Sequence, residues 1–339
     1  TAANTEVQNI AQELVDRNIL NDVGVVVTKR TLNPPLDFPY LVTDASFYTY
    51  GFNGQGDIYA ITNSRLMKGN RSWSTVMTTD PEKNNAELLL RSAQDVNGYM
   101  TGPKVTKTDD YLRPLELRHR GINKYSTLRY NTHYKTEIAS CNTRFDDFGF
   151  LSFERGASDD RVVYDENKLT GTAQVLDRFD RAQSGVWMLQ MDNGDKIRMN
   201  GLSGNKRYVV SCWITNVGPS APQALKVMTE GGAVELQLSR NHKWSRWYYY
   251  QAEVTLAAGE KMLELVHDGN ERVWVDNVVI APAGATYVIK SFNNRGLTDM
   301  EGTLNGKQVR YEYDAFDRLK VTRDENGNIR ETFNYHISR

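Results

Sequence analysis

Two groups of side chains in this sequence could do chemistry by their type and spacing: a knot of aromatic rings and several carboxylates. Trp244, Trp247, Tyr248, Tyr249 and Tyr250 lie close together. Such rings stack against the C–H faces of sugars when amides or carboxylates beside them fix orientation. On an alternating strand Trp247 and Tyr249 share one face with Gln251, while Tyr248 and Tyr250 share the other with Ala252. One of those faces must be core, so Trp247 and Tyr249 are read both as candidate sugar-stacking rings and as packing residues of the strand. Trp244, beside His242 and Lys243, is the surface candidate. Among the carboxylates, Asp146-Asp147 and Asp159-Asp160 could serve a glycosidase, but adjacent acids in loops are ordinarily solvated. His119, His133, His242, His267 and His336 show no metal-binding spacing, and no nucleophile elbow or phosphate-cradling glycine loop occurs. No catalytic residue is assigned. Cys141 and Cys212 are too few and too far apart for a zinc knuckle or a disulfide framework, and read as two buried free thiols, with one long-range disulfide as the alternative.

The elements that must position these groups are strands. A chain of 339 residues exceeds what one core organises, which predicts two or three domains. Lys and Arg number 41 against 42 Asp and Glu, so net charge gives no reason to expect a nucleic-acid or anionic-membrane partner. Hydrophobic residues make up 40% and charged residues 24%, the balance of a folded chain with a polar surface. No apolar run reaches the ~20 residues of a membrane helix; Asp276 and Asn277 interrupt Val273 to Ile280. The chain opens at Thr1 without a signal-like segment, so any export signal is expected to lie outside it.

Three stretches differ in pattern. Residues 1–147 open with a predicted helix, in which Val7, Ile10, Ala11, Leu14 and Val15 share a face, and continue as a β-rich region. That region holds the Val25 to Val27 run, the aromatic strand Phe47 to Tyr50 and the turn Asn53 to Gly56. The segment Ala86 to Leu90 fits a strand or a helical turn. Residues 148–283 alternate cleanly, with Tyr208 to Ile214 and Trp247 to Leu256 as the longest strands, and predict a β-sandwich. Asn193-Gly194 and Asp268-Gly269, each between two strands, read as hairpin turns. Residues 284–339 repeat: Leu297 returns as Leu319, Gly306 as Gly327, Tyr311 as Phe333 and Tyr313 as Tyr335, a period of 21 to 22 residues. Units of that length cannot bury an apolar face singly and must stack.

The clearer unit carries Tyr311, Tyr313 and Asp314, then Arg318-Leu319, then Gly327-Asn328-Ile329, then Phe333 and Tyr335. This order resembles the YD repeat of the Rhs family, with Asp317 where the family has Gly. The preceding unit, Tyr287 to Tyr313, is degenerate. In the family such repeats wind into a β-spiral that can close into a shell, so the resemblance implies a mainly β chain. It would comprise a short helix with a β-rich Rhs-associated region, a jelly-roll sandwich, and the start of a YD-repeat spiral. Ser152-Phe153-Glu154, Ser184 to Trp187, Tyr208 to Trp213, Trp247 to Val254 and Val273 to Val278 resemble a carbohydrate-binding-module-like jelly roll. Such modules are embedded in surface Rhs proteins of the Bacteroidetes type. In many of these jelly rolls a structural calcium links the first and last strands, and Glu154 and Asp276 match its carboxylates. No other cofactor is implied.

The resemblance implies a non-catalytic portion of a large secreted or cell-surface protein, either a toxin carrier or an adhesin scaffold. Its expected partners are further YD repeats of the same longer chain and, during export, the type IX secretion machinery of the outer membrane. An alternative makes the sandwich a glycan-binding unit through Trp244, Trp247 and Tyr249. A third reading, a glycan-active enzyme, requires two carboxylates flanking a cleft.

Overall fold

The computed structural model describes residues 25–31, 40–52, 58–66, 71–72 and 99–101 as strands. It also describes residues 103–335, except 110–112, 120–121, 123, 132–135, 155–160, 172–181 and 219. The N-terminal helix and the segment 86–90 expected from sequence lie outside the described residues. The chain divides into two compact units, Thr1–Ser126 and Thr127–Arg339.

In the first unit β1 (Val25–Thr31), β2 (Tyr40–Phe52), β3 (Ile58–Leu66), β4 (Arg71–Ser72) and β5 (Tyr99–Thr101) form one antiparallel sheet. The β-branched run at Val25 pairs with the aromatic strand through Val25 opposite Phe47. β6 (Lys104–Thr108) and β7 (Pro114–His119) form a hairpin.

The boundary between units falls within β8 (Lys124–Tyr130), which pairs with β9 (Glu137–Cys141). A β-sandwich follows. Its strands are β10 (Gly149–Leu151), β11 (Val162–Val163), β12 (Leu169–Gly171), β13 (Trp187–Met191), β14 (Lys196–Asn200), β15 (Lys206–Thr215), β16 (Lys226–Thr229), β17 (Gly232–Glu235), β18 (Gln237–Trp244), β19 (Trp247–Leu256), β20 (Met262–Val266) and β21 (Val273–Pro282). Seven of them make a sheet in the order β12-β13-β21-β15-β19-β18 with β10 beside β21, and five make the other, β11-β14-β20-β16-β17. The chain then continues as β22 (Tyr287–Phe292), β23 (Thr298–Thr303), β24 (Gln308–Tyr313), β25 (Leu319–Arg323) and β26 (Ile329–Thr332). These extend β8 and β9 into an antiparallel meander ordered β26-β25-β24-β23-β22-β9-β8.

The seven-stranded sheet is covered on both faces. Inward, Val210, Ile214, Val275 and Val278 meet Ile197, Leu263 and Leu265 of the five-stranded sheet. Outward, Phe148, Phe150, Val279 and Ala281 meet Ile138, Tyr287, Ile289 and Met300 of the meander. Every residue of β21 is therefore buried, including Asp276 and Asn277. A strand covered on both faces reads as an apolar run instead of alternating, and this one does so except at Asp276 and Asn277.

Two sequence expectations change here. Asn193-Gly194 and Asp268-Gly269 do reverse the chain, but neither closes a hairpin. β13 pairs with β12 and β21 while β14 pairs with β11 and β20, so the first turn passes from one sheet to the other. β20 and β21 likewise lie in different sheets. A turn dipeptide specifies a reversal, and the apolar faces of these strands are buried by meeting across the sandwich. Asp147, expected in a solvated loop, is fully buried beneath the 3-10 turn Phe145–Asp147 and accepts bonds from Lys206 Nζ (2.6 Å) and Tyr208 Oη (2.6 Å). Cys141 and Cys212 are buried and free, and burial pushes the Cys141 thiol up to about 12. No helix among the described residues is long and apolar enough to cross a membrane.

Candidate functional site

The strongest concentration of buried charge surrounds residues 183–187, the segment that leads into β13. Four successive backbone N–H groups there point at carboxylates from three different strands or their flanks. Ser184 N donates to Asp276 Oδ2 (3.2 Å) and Gly185 N to Asp299 Oδ2 (2.8 Å). Val186 N and Trp187 N both donate to Glu154 Oε1, at 2.6 and 2.8 Å. Glu154 follows β10, Asp276 lies in β21 and Asp299 in β23, so the segment ties the sandwich to the meander. A bulge in β21, with Asn277 at φ 48°, brings Asp276 and Asn277 to the same neighbours. Asn277 Nδ2 donates to Gln183 Oε1 and Ser184 Oγ, both at 2.7 Å. From β24, Arg310 Nη2 donates to Gln183 O, and Gln308 Oε1 accepts from Gln183 Nε2 at 2.8 Å. Gly185, at φ 68°, is obligatory, since a Cβ there would collide with the Glu154 carboxylate.

The electrostatics follow from this crowding. Burial pushes the Glu154 carboxyl up to about 7; the Trp187 and Val186 amides draw it down, and the charge of Asp299 adds to the rise. Burial and then the Glu154 charge hold Asp276 well above the usual carboxylate range. Arg310, 9% exposed, is drawn down to about 10 by burial, against the pull of Asp299 and Asp276.

Glu154 and Asp276, the pair matched to calcium, thus act on each other directly. They suit a hard cation in charge, because two buried carboxylates repel, and Asn277 Oδ1 beside them is buried and accepts no hydrogen bond. Glu154, Asp276 and Asn277 are the groups that would hold the ion, whose contribution would be structural. Among the described residues no three His, Cys, Asp or Glu side chains group as a metal set.

The aromatic candidates lie on the same sheet beside this segment, where Trp213 is the cross-strand partner of Asp276. Trp247 is 2% and Tyr249 4% exposed; with Met188, Trp213 and Trp274 they form a buried cluster on its outer face. Tyr249 packs on Trp213 with the rings tilted, centroids 5.4 Å apart at 56°, and lies against Gly306 of the turn between β23 and β24. Neither ring offers a face to solvent. The opposite face, Tyr250 and Ala252, belongs to the core between the two sheets. Trp244 ends β18 opposite Trp247, at the turn where Ser245 takes φ 54°; its side chain lies outside the described residues. The open face of the five-stranded sheet carries Lys196, Arg198, Glu264, Met228 and Met262, with Arg198 and Glu264 paired at 2.6 Å. Those residues offer no ring for stacking.

The repeat residues build turns. Asp314 Oδ1 accepts from the backbone N of Phe316 (2.8 Å) and Arg318 (3.0 Å), and its Oδ2 from Arg318 Nε (2.8 Å). The Arg318 guanidinium lies 5.2 Å from the Phe316 ring centre and 4.6 Å from that of Tyr335. Tyr313 Oη donates to Thr298 O (2.7 Å) and Tyr335 Oη to Leu319 O (2.9 Å), stitching neighbouring strands. Gly327, at φ 86°, turns the chain, and Asn328 bonds Asp324 through its backbone and its side chain. Tyr311 is half-buried in β24. Asp317 stands at φ 61°, in the left-handed region that Asp tolerates better than most residues. Asp299, Gln183, Gln308 and Arg310 were not singled out from sequence. Gln308 and Arg310 alternate as the buried face of β24, and a polar pair at inward positions was the available signal.

No protein-family model and no curated protein sequence matches the chain. Among solved structures, the CBM35 from Cellvibrio japonicus Abf62 is similar at 16% identity, with 34% of this chain and 94% of that one covered and a TM-score of 0.26. The C-terminal family 22 carbohydrate-binding module of Clostridium thermocellum Xyn10B is similar at 15% identity, covering 42% and 98%, with a TM-score of 0.28. The CBM6cm-2 module of Cellvibrio mixtus lichenase 5A, in complex with cellotriose, is similar at 14% identity, covering 33% and 95%, with a TM-score of 0.23. At these values the fold of the sandwich rests on its own strand pairings.

Proposed function

We propose that this chain is a non-catalytic scaffold portion of a large Rhs/YD-type protein, in which the sandwich is built into the repeat sheet. The observation that carries this reading is the packing of Tyr249 beneath the Gly306 turn, with Trp213 and Trp247 in the same buried cluster. Rings used this way join two sheets and are withdrawn from ligand stacking. The resemblance at Tyr311 to Tyr335 supports further YD repeats as the partners, and export to the cell surface or medium through type IX machinery. Glu154 and Asp276 serve as the structural calcium pair of this scaffold.

A second reading, a glycan-binding unit, is favoured by one feature: Trp244 at the turn that joins β18 to β19. Titration calorimetry with cello- and xylo-oligosaccharides against the chain and its Trp244→Ala variant separates the two. The scaffold reading expects no saccharide binding that depends on Trp244. Binding that weakens tenfold or more in Trp244→Ala replaces it with the second reading.

A further inference from the structure

Three of the four turns between β22 and β26 share a bonding pattern set by an Asn or Asp opener, while the fourth, Thr303–Lys307, keeps only its backbone bond, at 2.8 Å. In those three the opening residue donates its backbone N–H to the carbonyl four residues on, and its side-chain oxygen accepts the N–H of that same residue. For Asn293 and Leu297 the two distances are 2.9 and 3.1 Å; for Asp324 and Asn328, 3.0 and 2.8 Å. For Asp314 and Arg318 they are 2.9 and 3.0 Å. The residue before each opener pairs with the residue after each closer: Phe292 with Thr298, Tyr313 with Leu319, Arg323 with Ile329. In the first unit, Asp109 and Arg113 bond the same way at 3.1 and 2.9 Å, with Thr108 opposite Pro114.

The same pattern recurs where the chain enters and leaves the sandwich. Asn142 N donates to Thr286 O at 3.0 Å, Thr286 N donates to Asn142 Oδ1 at 2.8 Å, and Cys141 pairs with Tyr287. Asn142 occupies the opener's place and Thr286 the closer's, although 143–285 separate them where 315–317 separate Asp314 from Arg318. The spacing agrees. The strand-opening residues Tyr287, Thr298, Gln308, Leu319 and Ile329 step by 11, 10, 11 and 10, so the strand leaving the sandwich is in phase with the array.

We infer that the whole sandwich, residues 143–285, is a domain inserted into the tip of one array turn, with Asn142 and Thr286 as its neck. β9 and β22 are consecutive strands of one array, and the sandwich is a module that this array carries. This deepens the scaffold reading without depending on whether the parent is a carrier or an adhesin, and a saccharide result would leave it standing.

Both neck residues are exposed, so the full chain can be altered there. The double variant Asn142→Asp with Thr286→Arg installs the Asp–Arg clamp found at Asp314 and Asp109. Hydrogen exchange read over β9 and β22 should be no faster than in the parent. Asn142→Ala, which deletes the side-chain acceptor, should speed exchange there about fivefold, the effect of one lost hydrogen bond, and Asp314→Ala should do the same over β24 and β25. Asn142→Asp alone keeps the acceptor and should leave exchange unchanged. If the double variant speeds exchange over β9 and β22 tenfold, or if Asn142→Ala and Asn142→Asp behave alike, the neck is not an array turn and the inference fails.

Discussion

The Glu154 carboxyl makes stability depend on pH in a direction opposite to that of most carboxylates. Its ordinary value is 4.5, and burial raises it to about 7 in the folded chain. The folded state therefore holds the proton more tightly than the unfolded state. The associated stability is fully present below pH 4.5, is lost as pH rises through 7, and changes little beyond. At about 1.4 kcal/mol per tenfold, the interval corresponds to about 3 kcal/mol. Asp276, raised by burial and by Glu154, adds in the same direction. Glu154→Gln keeps an oxygen to accept from Val186 and Trp187 and has no proton to lose. Urea unfolding of parent and variant, followed by tryptophan fluorescence in chelator-containing buffers from pH 4.5 to 8, yields a difference curve in which groups uncoupled from Glu154 cancel and Asp276 contributes in the same direction. Parent stability should fall relative to the variant by about 3 kcal/mol across that range. A flat difference, or one that rises with pH, would refute the buried-pair reasoning and place Glu154 in an ionised pairing.

Arg310→Met removes the buried cation that faces Asp299 and Asp276, and should cost about 3–5 kcal/mol in urea unfolding; a loss under about 1 kcal/mol would mean the clamp does not need its charge. Gly306→Ala combines a left-handed backbone with a Cβ placed 2.8 Å from Tyr249 Cγ, whereas Gly194→Ala, at φ 87°, meets nothing within 4 Å. Thermal unfolding should show Gly306→Ala the more damaging by about 1–3 kcal/mol, and equal losses would deny the sheet-joining role of Tyr249. Calcium should raise the melting temperature of the chelated parent but not that of Glu154→Gln. A parent indifferent to chelation would leave Glu154 and Asp276 held by protons and amides alone.

Much of the fold could be read from local pattern because the physics there is local. β15 and β19 alternate because one face of each meets the core between the sheets, and the 21 to 22 residue period marks pairs of array strands. What stayed hidden depends on the third layer. β21 showed its apolar run but not the reason, since nothing in Val273 to Ile280 says that a second sheet covers the outer face. Trp247 and Tyr249 looked like candidates for ligand stacking because sequence cannot tell a ring under solvent from a ring under Gly306. The turns at Asn193 and Asp268 were legible as reversals, while the choice of partner strand was made by packing across the sandwich. Glu154 and Asp276 were picked out by the resemblance to calcium-bearing jelly rolls and by nothing in their own spacing. Asp299 and Arg310, which complete their surroundings, belong to the array and lie far away along the chain.

The sheet shared between sandwich and array also governs how the molecule can be divided. A fragment cut to residues 148–283 would keep its own core but turn Phe148, Phe150, Val279 and Ala281 toward water, next to the Trp213 and Tyr249 cluster. Contiguous apolar ground of that kind is rare on monomeric proteins and invites self-association. The same cut would remove Asp299 and Arg310, leaving Gly185 N and Gln183 O without their partners. Solubility and a single melting transition should therefore belong to fragments that retain β8, β9 and β22 to β26, and a sandwich expressed by itself should be sticky before it is unstable.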